Sequence, residues 1–205
     1  MEKFVVTITR QFGSLGRPVA KRMSEILGIE YYDRDIVDQA AKKLKLPVSV
    51  INQEEEKAAK PEISPFSRMM FPLGKGTSST QDSIFEAQKN IIEFLAEKET
   101  CIIVGRCSDF ILEQMENIVN IYIYAPYRDR LEHCIKDLGM DEETARRTIV
   151  DVDEARNAYH MKFAGYAPDD KRYKDILINS SLLGVDGTAD FLVDLVRRRF
   201  GENEA

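Results

Sequence analysis

A β-branched apolar run, FVVTI, leads through TRQFGSLGR directly into a segment where Val19, Met23, Ile26 and Leu27 recur at helical spacing. Pro18 suits a first helical position and Gly28 suits a stop. A buried strand that feeds a helix through a short glycine-bearing loop leaves few folds open, because the helix must pack back on the sheet and return a parallel strand. The loop also has a chemistry of its own. Gly13 and Gly16 tolerate positive φ, which lets backbone amides turn inward, and the helix N-terminus adds partial positive charge. Arg10, Gly13, Ser14, Leu15, Gly16, Arg17 and Pro18 therefore form a candidate phosphate cradle, with Arg10 and Arg17 as fixed charge at its flanks. An ordinary glycine-containing turn with surface arginines fits the same spacing. Against the pattern G-x-x-x-x-G-K-[ST], only Gly16 matches: Gln11 stands at the first glycine, Arg17 at the lysine and Pro18 at the hydroxyl. The GKGT at 74–77 is a decoy, since Met69 occupies its first-glycine position and no strand precedes it.

Further along, residues 29–32, 101–104, 118–124 and 176–178 read as buried strands beside the first at 4–8. Helical patterns lie between them, carried by Ile36, Val37, Ala40, Ala41 and Leu44, by Ile84, Gln88, Ile91, Ile92 and Leu95, and by Thr188, Phe191, Leu192, Leu195 and Val196. One long helix is expected from Asp141 to about Phe163, where DEET suits a helix N-terminus and Ala145, Ile149, Val152, Ala155 and Tyr159 form an apolar stripe. The alternation predicts an α/β fold: a five-stranded parallel sheet with helices on both faces, in one domain spanning 1–205. Residues 52–82, with EEEK, three prolines and GKGTSST, read as an insertion.

The charge balance narrows the function. Twenty-nine basic against 35 acidic residues give a net charge of −6, which argues against a nucleic-acid partner. No apolar run approaches a membrane span, and the N-terminus has no leader pattern. The three cysteines, Cys101, Cys107 and Cys134, form neither a disulfide framework nor a C-x-x-C pair, so a reducing, cytoplasmic location is expected. The two histidines, His133 and His160, pair with no nucleophile and show no metal-ligand spacing, so both read as surface or partly buried residues.

TITRQFGSLGRPVAKRMSEILGIEYYD, CIIVGRCSDFIL, the arginine-bearing helix and YKDILINSSLLG together resemble the cytidylate-kinase-like family, a branch of the P-loop nucleoside monophosphate kinases with a degenerate loop. The resemblance runs from about Phe4 to Arg198 and is thinnest over 52–82, which it places on the acceptor side. It implies an arginine-bearing helical lid over about 128–172. It implies that Gly13, Ser14, Gly16 and Arg17 hold the donor's phosphates and that Arg106 of the Gly105-Arg106 motif holds the acceptor's. Cys107 replaces the aspartate that follows in the family, with Asp109 a substitute two residues on. Asp33, in YYDRD, matches a Tyr-x-Asp element near the acceptor; a helix N-cap suits it equally. Asp153-x-x-Arg156 matches a motif that contacts the acceptor and the transferred phosphoryl, although the same spacing also gives a surface ion pair. The family arginine before that motif falls on Ile149, and Arg146 and Arg147 stand a turn earlier to replace it. Arg130 matches a recurrent arginine before the lid, and Asn179-Ser180-Ser181 an element near the donor base.

The function so implied is phosphoryl transfer from ATP to a nucleoside monophosphate, CMP or dCMP, with Arg17, Arg147 and Arg156 as catalytic residues. Two alternatives stay open: a nucleotide-binding protein with little catalysis, and an ATP-dependent kinase of another small metabolite. The resemblance also implies Mg²⁺, but Pro18 lacks the hydroxyl, Val104 stands where an acid is usual, and no protein ligand is apparent. Small-molecule nucleotides are the expected partners, and the sequence leaves the oligomeric state open.

Overall fold

Apolar strands alternating with amphipathic helices bury themselves by stacking helices on both faces of one sheet. The computed structural model describes residues 3–33 and 78–201. Strands β1 (Val5–Arg10), β2 (Glu30–Tyr32), β3 (Cys101–Val104), β4 (Ile118–Tyr124) and β5 (Ile176–Asn179) lie in the order β2-β3-β1-β4-β5. Every neighbouring pair is parallel, with Ile8 opposite Val104 and Arg10 opposite Ile123. All five carboxyl ends therefore share one edge, and β1 and β3, far apart in sequence, end side by side.

The described helices are α1 (Gly16–Leu27), α2 (Ser78–Lys98), α3 (Ser108–Ile111), α4 (Tyr127–Lys136), α5 (Glu142–Ala164) and α6 (Gly184–Phe200), with 3₁₀ turns at Lys171–Tyr173 and Ser180–Leu182. Phe4, Val6, Ile8, Ile121 and Ile123 face α1 and α6 and pack with Val19, Met23, Leu192 and Val196. Val5, Cys101 and Ile103 face the opposite way, onto Ile92, Leu95 and Ile111. Each such aliphatic side chain contributes about 1.5–3 kcal/mol by leaving water. The Phe4 and Phe200 rings stack 4.7 Å apart, joining the first strand to the last helix. A third cluster of Phe12, Cys134, Ala145, Ile149 and Val152 seats α4 and α5 against the loop after β1.

The strands fall where alternation predicts them, within two residues at each end. Helix α1 opens at Gly16 rather than Pro18, because Leu15 adopts the left-handed conformation (φ 59°) and turns the chain into the helix early. Asp141 caps α5, its side chain accepting from the Thr144 amide at 2.9 Å. Helix α2 begins at Ser78, inside the stretch 52–82 read as an insertion. The rest of that stretch and the expected helix over 36–44 lie outside the described residues. No described helix is long and apolar enough to cross a membrane.

Candidate active site

The loop after β1 is fastened at four points. Ser14, fully buried, donates its hydroxyl to the carbonyls of Gln11 (2.9 Å) and Ile123 (3.0 Å). The Gln11 side chain, standing where the P-loop pattern has its first glycine, accepts from the Ala125 amide at 3.2 Å and ties the loop to the end of β4. Ser180 donates to the Ser14 carbonyl at 2.6 Å and to the Tyr124 carbonyl at 3.2 Å. Gly13 adopts φ 75°, and a Cβ there would stand 3.0 Å from the Arg130 carbonyl oxygen, so the position needs glycine for both conformation and space. The fourth fastening is ionic. Asp153 accepts from the Phe12 amide at 2.7 Å and from the Arg130 guanidinium, which also donates to the Phe12 carbonyl at 3.2 Å.

Beside this loop, at the adjoining ends of β1 and β3, a cleft is lined by Thr9, Arg10, Val104, Gly105, Arg106, Cys107, Arg156, Tyr159, His160 and Pro168. Ligands in parallel α/β sheets bind at such an edge. Three guanidinium groups converge here from three elements. Arg10 ends β1, and its Nη1 lies against the Cα of Gly105, where a Cβ would collide with it. Arg106 occupies a tight turn in which Gly105, Arg106 and Cys107 all take positive φ (79°, 60° and 52°), a conformation that costs a non-glycine residue about 1–2 kcal/mol. Arg156, on α5, donates Nη1 to the Arg10 carbonyl at 3.0 Å and lies over the Phe12 ring. Desolvation, followed by the charge of Arg156, lowers the Arg10 pKa well below the usual arginine value. Burial likewise brings Arg156 down to about 10, against an opposing contribution from Asp153. An anion entering the cleft would relieve this repulsion.

Behind the cleft lies a buried polar network. Asp109, on α3, accepts from His160 Nε2 (3.1 Å), from Tyr166 Oη (3.2 Å) and from Lys174 Nζ. Desolvation alone would raise its pKa, but the hydrogen bond from His160 and the charge of Lys174 hold the carboxyl at about 2. The other His160 nitrogen, Nδ1, faces the Tyr166 carbonyl at 2.9 Å.

The structure thus brings Arg10, Arg106 and Arg156 into one cleft and redistributes the other residues singled out from the sequence. Arg10 points to that cleft rather than into the loop. Arg17 reaches across to pair with buried Asp33, which also accepts from Tyr31 Oη at 2.9 Å; burial and then Asp33 push the Tyr31 phenol up to about 12. Asp153 fastens the loop, Asp109 sits in the buried network, and neither lines the cleft. Arg147 is exposed on α5 and does not line it either. Asn179 caps Ser181 at 3.0 Å. His160, read from sequence as a residue without partners, lines the cleft and is fully engaged. Tyr159 reads from sequence only as part of the apolar stripe of α5, and Pro168, Tyr166 and Lys174 are not singled out there, since only the tertiary fold brings them to this edge.

The described residues do not fit a protein-held Mg²⁺. The Ser14 hydroxyl is spent on two carbonyls, and Pro18 and Val104 offer no oxygen side chain. Asp33, Asp109 and Asp153 are engaged by Arg17, Lys174 and Arg130 respectively. No group of three or more His, Cys, Asp or Glu residues among the described residues is placed to hold a metal ion.

Comparison with known proteins agrees with this architecture. The model of the cytidylate kinase-like family matches residues 5–182. An uncharacterized protein from Eubacterium ventriosum superposes with a TM-score of 0.71 at 25% identity, covering 95% of this chain and 98% of that one. The shikimate kinase from Acinetobacter baumannii, in complex with shikimate, superposes at 0.53 with 11% identity over 97% and 95% of the two chains. That from Aquifex aeolicus superposes at 0.50 with 16% identity over 97% and 99%. No curated protein matches the chain.

Proposed function

The chain belongs to the cytidylate kinase-like family, and from that premise we propose that it transfers the γ-phosphoryl group of ATP to a nucleoside monophosphate, CMP or dCMP. The observation that carries the reading is the convergence of Arg106 and Arg156 on one cleft beside a glycine loop at the carboxyl edge of a parallel sheet. Phosphoryl transfer asks the protein for positioning and for neutralisation of charge on phosphoryl oxygens, and guanidinium groups supply both through bidentate, charge-assisted hydrogen bonds. In this reading the amides of residues 13–16 and the N-terminus of α1 take the donor's phosphates. Arg106, held by its left-handed turn, takes the acceptor's phosphate. Arg156 spans the two, its position fixed by the bond to the Arg10 carbonyl. Asp153 acts as a positioning residue that holds the loop through Phe12. The chemistry needs no covalent nucleophile, which suits a cleft whose only thiol, Cys107, has its pKa raised by burial. Free, buried cysteines support a reducing, cytoplasmic setting.

The test is product identification: the purified protein with Mg-ATP against CMP, dCMP, UMP, AMP and non-nucleotide acceptors such as shikimate, with phosphorylated products resolved chromatographically. The proposal expects a nucleoside diphosphate from a cytidylate. Phosphorylation of a non-nucleotide acceptor alone would replace the substrate assignment, and no product with any acceptor would leave nucleotide binding without catalysis.

A further inference from the structure

Gly105, Arg106 and Cys107 take positive φ in succession, although two of the three carry side chains that disfavour it. Such a run persists only where its surroundings fix it. Upstream, the Gly105 amide donates to the Ile8 carbonyl at 2.9 Å and ties the turn to the end of β1. Downstream stands Asp109, whose side chain is 1% exposed. Its carboxylate accepts from His160 Nε2 on α5 at 3.1 Å, from Tyr166 Oη at 3.2 Å and from Lys174 Nζ just before β5. The Lys174 side chain is itself 0% exposed. A well-packed apolar set of the same volume is often as stable as a buried ion pair, because desolvation of both charges offsets their attraction. What the charged set adds is direction: three donors from two later segments meet one carboxylate at fixed angles.

We infer that Asp109, His160 and Lys174 form a clamp that holds the left-handed turn at 105–107 in shape, which makes His160 and Lys174 positioning residues for Arg106. The turn is then pinned at both ends, by the sheet at Gly105 and by the clamp at Asp109. His160 lies one helical turn beyond Arg156 on the same side of α5. The His160 to Asp109 bond therefore also sets the separation between the segment that carries Arg106 and the helix that carries Arg156. The Tyr166 ring meets His160 edge-on with centroids 4.8 Å apart and stacks on Tyr173 at 3.7 Å, which folds residues 166–174 against the clamp and leaves Pro168 on the cleft wall. Neither His160 nor Lys174 touches the substrate in this account; both act through the turn.

The clamp rests on the kinase reading for what Arg106 binds, but the shape of the turn does not. Two readouts separate them: steady-state kinetics with CMP and Mg-ATP, and amide hydrogen exchange of the full-length protein without ligand. The variants are His160→Ala, His160→Gln and Lys174→Met, with Phe200→Leu as a control that loosens the Phe4 stack at the opposite edge of the sheet. His160→Ala and Lys174→Met are expected to raise KM for CMP about tenfold or more, as weakening one charge-assisted bond implies, with KM for ATP unchanged. Exchange should quicken over residues 105–112 and stay unchanged in α1. His160→Gln, which can still donate to Asp109, should recover most of both effects. Phe200→Leu should leave KM for CMP and the turn's protection unchanged. Unchanged turn exchange in His160→Ala, an equal rise in both KM values, or the same CMP effect in Phe200→Leu would each overturn the clamp. In the wild type, native-state exchange in low urea should show residues 105–109 and 166–174 opening in one step. Separate openings would overturn the clamp even where a variant does not fold. Turnover on no acceptor would reject the kinase reading, and exchange would then decide the clamp alone.

Discussion

Replacing Asp153 with alanine separates a residue that holds the loop from one that touches substrate. Its carboxylate bonds the Phe12 amide at 2.7 Å and the Arg130 guanidinium, with side-chain exposures of 27% for Asp153 and 10% for Arg130. Removing one member of a fully buried pair costs about 3–5 kcal/mol and of an exposed pair at most about 1. This pair lies between, at about 2 kcal/mol, and the orphaned amide of buried Phe12 adds about 1 kcal/mol. Asp153→Ala should therefore lose about 3 kcal/mol, read as a lower urea midpoint at unchanged slope, or a Tm lower by roughly 6–12 °C for a chain of this size. Asp153→Asn keeps an oxygen for the amide and should lose about half as much. Because the cost arises largely from stranding Arg130, the apolar double variant Arg130→Met with Asp153→Leu should be more stable than the sum of its single changes predicts. A variant Asp153→Ala within about 0.5 kcal/mol of wild type, the usual range for a surface substitution, but without turnover would refute the loop-holding role and return Asp153 to the substrate.

The Asp109 carboxyl, held at about 2 by His160 and Lys174 against its own desolvation, lies below its unfolded value near 4. Its contribution of about 2 kcal/mol is therefore present above pH ~4 and lost as pH falls toward about 2. Asp109→Asn should be less stable at neutral pH, because Lys174 is left buried, and should lack that acid slope; equal slopes in an acid titration followed by circular dichroism would contradict the assignment. Arg17 is 60% exposed but its partner Asp33 is only 3% exposed, so Arg17→Ala takes a cation from a buried carboxylate and should lower stability by about 1–3 kcal/mol, between an exposed and a buried pair, while ATP-dependent turnover is lost. Unchanged steady-state kinetics in that variant would remove Arg17 from the donor site. Burial raises the pKa of all three thiols, Cys101 to about 12, so the native protein should resist iodoacetamide at pH 7.5 and react only when unfolded. Rapid labelling of the folded protein would show that the cysteines are less enclosed than their packing indicates.

The strands could be read from the sequence because each is a short apolar run buried on both faces, and α5 because DEET and its stripe mark both its start and its inward side. Arg106 and Arg156 are singled out only by the resemblance to the cytidylate-kinase-like family. The placement of Arg10 is not legible in the sequence, because its side chain turns away from its own loop to a strand end about a hundred residues on, and only the parallel pairing of β1 with β3 brings the two together. The same holds for Asp109, His160, Tyr166 and Lys174, four residues from three segments whose partners are set by packing. Asp153 and Arg156 sit three apart on one helix, yet one clamps the loop and the other lines the cleft, a division that spacing alone does not resolve.

Phosphoryl transfer at the arginine cleft is tested most directly by ADP release from Mg-ATP with CMP or dCMP as acceptor, compared among wild type, Arg106→Gln and Arg156→Gln. Acceptor-dependent release is expected in the wild type, with kcat/KM lower by about a hundredfold in each variant, the loss of a charge-assisted bond made to the transition state. No acceptor-dependent release, or release that both variants sustain unchanged, would contradict it.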